Sequence, residues 1–184
     1  GRTILGPAQE AWFAGGLAHA STRWNVIAQQ TLMAQLARGE HGEPDFWHDG
    51  WDGYAPARQR LLDAVAASPV HDTLVLSGDV HSFWAADLKR DFDAPDSATV
   101  ASEFVGGSIT SQGEADSRVQ IHVEHNPHIR YGRGGRNGYA LVTLDAKMAR
   151  VAFRAVDDVK QPQSGISTLQ SFTVEAGKPG VSLG

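Results

Sequence analysis

The sequence predicts an α/β fold whose second half is rich in β-strand, and three observations carry that prediction. First, "TLVLS" at residues 73–77 is apolar without alternation, as a strand covered on both faces would be, and the helical pattern of residues 57–68 precedes it. Second, four runs beyond residue 97, "ATVASEFV", "GYALVTLD", "MARVAFRAV" and "LQSFTVE", are dense in β-branched and aromatic residues between turn signals. Third, 184 residues at 41% hydrophobic and 20% charged are enough for one domain with a sizeable core, which makes disorder an unsuitable description.

The elements follow in order. Gly6-Pro7 opens a predicted helix with proline near its first position, where a missing N–H costs least, and Trp12, Phe13 and Leu17 supply an apolar stripe that Gly15 and Gly16 weaken. A buried strand is predicted around residues 24–28, followed by helix-forming residues through Leu36. Residues 38–56, "RGEHGEPDFWHDGWDGYAP", form a polar loop too long for a simple connector and too aromatic for a disordered linker. Pro56 opens a second helix with Leu61, Leu62 and Val65 on one face, ended by Ser68-Pro69, and the strand at 73–77 then takes a central position in the sheet. A glycine-rich tail closes the chain.

Composition narrows the function classes. A net charge of -5 disfavours non-specific nucleic-acid binding, which needs a surplus of lysine and arginine. With no cysteine there is no disulfide, zinc-thiolate cluster or cysteine nucleophile. No apolar run approaches the roughly 20 residues of a membrane-spanning helix, and "GRTILGPAQE" has neither an initiating methionine nor a signal pattern, so the chain is expected to be a piece of a longer protein.

The chemistry concentrates where the strand at 73–77 runs into Gly78-Asp79-Val80-His81. In an extended chain residues i and i+2 face the same side, which would let Asp79 and His81 address a pair of metal ions about 3.5–4 Å apart, with Gly78 permitting a sharp departure from the sheet. The other reading makes Asp79 a cap on the segment that follows and packs His81 beside Phe83 or Trp84. For the pair alone the capping reading is the stronger, and only the position after an apolar strand, where α/β sheets place their ligand sites, weighs toward chemistry.

"LVLSGDVHSFWAADL", then "EFVGGSITSQG" and "NPHIRYGRGGRNGYALVTLD", resemble the C-terminal half of the alkaline phosphatase D (PhoD-like) metallophosphoesterases; "RTILGPAQEAWFAGGL", "RWNVIAQQTLMAQL" and "WDGYAPARQRLLDAV" match in the same order, so the resemblance covers nearly the whole chain. It implies a four-layer αββα sandwich of which residues 1–184 form a single partial domain lacking its N-terminal half. It further implies hydrolysis of phosphate mono- or diesters at a cluster of iron and calcium, in an enzyme exported to the periplasm, cell surface or medium. By the match to a Gly-His-x-His motif, Asp79 and His81 are the implied metal ligands; a carboxylate in place of the first imidazole suits an oxygen-seeking cation. His128, in "NPHIRY", is the candidate for a catalytic residue approaching from a neighbouring loop. The upstream ligand motifs of the family have no counterpart here, so this segment is expected to be inactive by itself. The competing class is a non-catalytic β-rich binding module.

Other candidates carry plainer readings. His122 and His125 are expected on the surface, in extended or loop context. "GRGGRNG" at 132–138 lacks both the spacing of a phosphate-cradling loop and a following helix, and is expected to be a flexible turn bearing Arg133 and Arg136. Glu103, Ser108, Thr110 and Ser111 have no adjacent base and are expected to close a strand through a glycine turn. Asp49, Trp51, Asp52 and Tyr54 either line a substrate entrance or pack the loop.

Overall fold

The computed structural model of the protein describes residues 2–39 and 44–184. It is mixed α/β, rich in sheet, and among the described residues it has three layers. The first sheet has the order β1-β2-β4-β3-β5, built from β1 (Asn25–Ala28), β2 (Thr73–Ser77), β3 (Phe83–Lys89), β4 (Thr99–Val105) and β5 (Ile129–Arg133). Strands β1, β2 and β4 run parallel, and β3 runs antiparallel to β4 and β5. The second sheet is an antiparallel meander of β6 (Gly138–Leu144), β7 (Met148–Val156), β8 (Ile166–Glu175) and β9 (Lys178–Leu183).

Alternation along the strands sorts side chains into two cores. Val75, Trp84, Ala86, Ala101 and Val105 face α1 (Pro7–Ala18), α2 (Ala55–Ala66) and α3 (Asp116–His125), whose Leu17, Leu61, Leu62, Val65 and Val119 close that layer. Leu74, Phe83, Ala85 and Phe104 face the second sheet instead. There the rings of Phe83, Phe104, Tyr131, Phe153 and Phe172 lie in a continuous cluster, with Phe153 5.1 Å from Phe83 and 4.9 Å from Phe172. Removing one such buried ring costs about 3–5 kcal/mol.

The predicted helix starts at Pro7 and Pro56 and the strand at 73–77 are observed as expected. Three expectations change. Residues 29–37 form no helix, because their polar groups bind the sheet and loops instead: Gln29 donates to Ser77 Oγ at 2.5 Å, and the Met33 and Ala34 amides donate to Glu103. The glycine-rich tail is strand β9, in which Gly180 takes φ +132°, a conformation other residues rarely adopt. Trp12 stands 74% exposed rather than joining the stripe of Leu17, so α1 presents one large apolar ring outward. Of the loop at 38–56, residues 40–43 lie outside the described residues.

Candidate metal centre at the end of the parallel strands

The site is built where the chain leaves β2. Because β4 later occupies the slot between β2 and β3, the chain crosses the C-terminal end of that slot, a distance of two strand spacings or roughly 10 Å. Residues 78–82 make the crossing, and two of them, Asp79 (φ 71°) and His81 (φ 55°), adopt left-handed backbone conformations without being glycine. Asp and His are among the residues that tolerate this region best, yet each such position stores on the order of 1 kcal/mol or more. Neighbouring segments hold the turn. Gly78 donates to the Gln30 carbonyl at 3.0 Å, Gly106 donates to the Ser77 carbonyl at 2.9 Å, and a Cβ at Gly113 would collide with the His81 carbonyl oxygen.

Asp79 and His81 are both exposed, and neither side chain has a hydrogen-bonding partner among the described residues. Their side chains thus leave the sheet end through a tight turn and not, as the sequence suggested, from the same face of an extended strand. The capping role has nothing to act on, since the segment that follows is strand β3 and its first residue Phe83 is buried between the sheets. A free carboxylate and a free imidazole on a braced turn fit the donor chemistry of an oxygen- and nitrogen-seeking cation. Among the described residues no group of three or more His, Cys, Asp or Glu could hold a metal ion.

Asp79 opens onto a cavity of about 980 Å³ shared with Asp49, Trp51, Tyr54 and Gln29 to Thr31. The loop residues therefore divide. Asp49, Trp51 and Tyr54 line this cavity, whereas Asp52 turns inward to a buried ion pair with Arg58 at 2.6 Å and accepts the Leu36 amide at 3.1 Å.

His128 is elsewhere. It immediately precedes β5, whose first residue pairs with Ala86, while the far end of β5 at Arg133 pairs with Phe83 beside the ligand turn. The intervening strand of five residues separates the two by roughly 15 Å. His128 is buried, its Nε2 lies 2.7 Å from the Gln35 carbonyl, its ring stands 4.8 Å from Phe92, and burial lowers its pKa. The structure does not bring it to Asp79 and His81. His122 is likewise not a surface residue: it sits in α3 against Trp84, 1% exposed, with Nε2 3.4 Å from Glu114. His125 is exposed, as expected, but at the end of that helix.

The arginines of the glycine-rich turn are engaged in ion pairs, Arg133 with Asp116 at 3.1 Å and Arg136 with Asp157 at 3.8 Å, and Arg130 with Asp87 at 2.7 Å. Glu103, expected to close a strand through a glycine turn, lies instead inside β4. Its carboxylate is fully buried, accepts Met33 N–H and Ala34 N–H at 2.8 Å and the Ser77 hydroxyl at 2.7 Å, and desolvation pushes its pKa up to about 7 against the pull of those bonds. The available signal was a lone glutamate in the apolar run "ATVASEFV".

The exposed carboxylate–imidazole turn at the parallel strand ends of this α/β sheet is the candidate ligand site, and comparison with known proteins specifies the family. Residues 1–153 match the family model of the PhoD-like phosphatases, and the chain belongs to that family. It is 36% identical over 183 residues to alkaline phosphatase D of Bacillus subtilis (strain 168), covering 98% of this chain and 31% of that protein. A solved structure titled "Structure of PhoD" superposes with a TM-score of 0.91 at 34% identity, over 99% of this chain and 35% of the other. The chain thus spans about a third of the length of these relatives, less than the half that the sequence motifs suggested.

Proposed function

We propose that residues 1–184 are part of a metal-dependent phosphoric ester hydrolase in which Asp79 and His81 contribute ligands to a cation cluster. The carrying observation is the turn itself: two unpartnered donor side chains held at left-handed backbone positions that most residues avoid. When bound, the cations would polarise phosphoryl oxygens and supply hydroxide at neutral pH. This chain's own contribution is to hold two donors at a fixed spacing and to wall the approach with Trp51 and Tyr54. The carboxylate suits calcium and the imidazole suits iron, the two metals the family resemblance suggests.

The remaining ligands belong, in this reading, to further polypeptide completing a four-layer sandwich. Two unpaired edges support it. No strand pairs with the outer edge of β1 or β6 among the described residues, and Trp12, Val26, Tyr139 and Leu141 are exposed in α1, β1 and β6. The secreted or cell-surface setting typical of the family is the corresponding proposal for location.

The test uses the intact polypeptide that carries residues 1–184, titrated with calcium and iron(II) and assayed on bis-p-nitrophenyl phosphate. Asp79→Ala and His81→Ala are each expected to lower metal stoichiometry and to reduce kcat/KM by about 100-fold or more. Unchanged metal content and turnover in the double variant would sink the ligand assignment and leave the binding-module reading standing. Residues 1–184 produced alone are expected to show no turnover, and robust hydrolysis there would refute the partial-site claim.

A further inference from the structure

Glu103 lies in the middle of β4, on the face turned toward the helices, directly below the end of the strand over which the ligand turn passes. Four donors converge on its carboxylate: the backbone N–H groups of Met33 and Ala34, the Ser77 hydroxyl, and at 3.4 Å the Gln29 amide. These donors come from two separate pieces of chain. Ser77 is the last residue of β2 before Gly78-Asp79-Val80-His81, and Gln29 to Ala34 is the irregular segment that lines the cavity beside Asp79. Gln29 also donates to Ser77 Oγ and accepts Trp51 Nε1–H at 3.0 Å, so the carboxylate fastens the ligand turn, the cavity wall and the Trp51 loop to one strand. A buried carboxylate in an apolar strand is expensive unless it is bonded in this way, and a glutamine could not accept two backbone N–H groups with both of its terminal atoms.

We propose that Glu103 is a positioning residue for the ligand turn: it touches neither substrate nor cation, but holds Ser77 and the Gln29–Ala34 segment so that Asp79 and His81 stand where a cation needs them. The inference rests on the reading of Asp79 and His81 as cation ligands. It goes beyond that reading by assigning the placement of the turn to one buried acid two layers of contact away. The charged groups nearest it are Arg58, which favours the ionised form, and Arg58's partner Asp52.

The experiment measures amide hydrogen-exchange protection factors and calcium affinity in the intact polypeptide carrying residues 1–184, for the wild type, Glu103→Gln and Glu103→Asp. Both variants are expected to lose at least tenfold protection at Gly78, Met33 and Ala34, with less than about twofold change in β7 and β8, and to bind calcium about tenfold more weakly. In the wild type, protection at Gly78 should rise as the pH is lowered through about 7, because buried Glu103 holds its proton more tightly than it does when the segment opens, and this dependence should vanish in Glu103→Gln. A uniform loss across both sheets makes Glu103 merely structural and overturns the proposal; so does unchanged protection at Gly78. The wild-type pH series decides the matter even if neither variant folds. Absence of calcium binding in the wild type would instead defeat the ligand reading, while the protection factors still report whether Glu103 fixes the turn.

Discussion

The two flanks of the sandwich end in opposite ways. On one, every edge is tied down: the Val181 and Gly180 amides of β9 donate to Asp87 and Ser102 of the other sheet at 2.7 and 3.0 Å, and α3 covers β5, with Gln120 donating to the Gly132 carbonyl and Asp116 accepting Gly134 N–H. On the other, β1 and β6 end in unpaired edges beside exposed Val26 and Tyr139. An edge strand left with free backbone groups is a template for another strand, so proteins cap or charge such edges unless something else covers them. This molecule caps one flank with buried polar side chains and leaves the flank nearer Asp79 bare. The difference teaches that β5 and β9 are closed by the protein's own polar side chains, whereas β1 and β6 keep backbone groups free to pair with another strand.

The largest expected effect comes from breaking the closed flank. Asp87 is 2% exposed and binds both Val181 N–H and Arg130, so Asp87→Ala leaves a buried amide without a partner and should destabilise the protein by about 2–4 kcal/mol in urea unfolding. Loss below about 0.5 kcal/mol would mean that the β9 tie does not close the sandwich. Next in size is the pH response of Glu103, between the flanks. Its folded pKa, about 7, is raised above its ordinary value of 4.5, so the native state holds a proton that the unfolded chain has released between those values. Stability from this group is therefore full below about pH 4.5 and is lost as pH rises through 7, by on the order of 2–3 kcal/mol. Measured as wild type minus Glu103→Gln, the unfolding free energy should fall between pH 5 and 8; a rise would reverse the assignment.

Smaller effects sharpen the comparison on the open side. Asp79→Gly and His81→Gly relieve left-handed strain and should be neutral or stabilising by up to about 1 kcal/mol while weakening metal binding, which separates function from stability at the same two positions. A clear destabilisation would mean that the side chains hold the turn together. Smallest in free energy is Val26→Lys on the bare edge, expected to change stability by less than about 0.5 kcal/mol. For residues 1–184 alone it should nonetheless reduce self-association seen by light scattering, since an edge lysine opposes strand pairing. The same substitution in the intact polypeptide is expected to be harmful if, as proposed, further chain covers that edge.

The sequence by itself determined the local pieces. Pro7 and Pro56 start helices because a residue without N–H fits the first turn, "TLVLS" is a buried strand because neither face alternates, and the Gly78-Asp79-Val80-His81 junction is visible because an apolar run stops there in two ligand-type residues. Tertiary structure alone decided the rest. The left-handed backbone at Asp79 and His81 arises because β4, about twenty residues later in the chain, fills the slot the turn must cross. Glu103 gains its role from donors some seventy positions away, His128 lies apart from Asp79 and His81 because β5 runs between them, and Gln29 to Leu36 forgo helix because their amides serve the buried carboxylate and Asp52. Periodicity and capping report interactions within a few residues. Which strand comes to lie between two others, and which distant amides meet a buried charge, is fixed only when the sheet assembles.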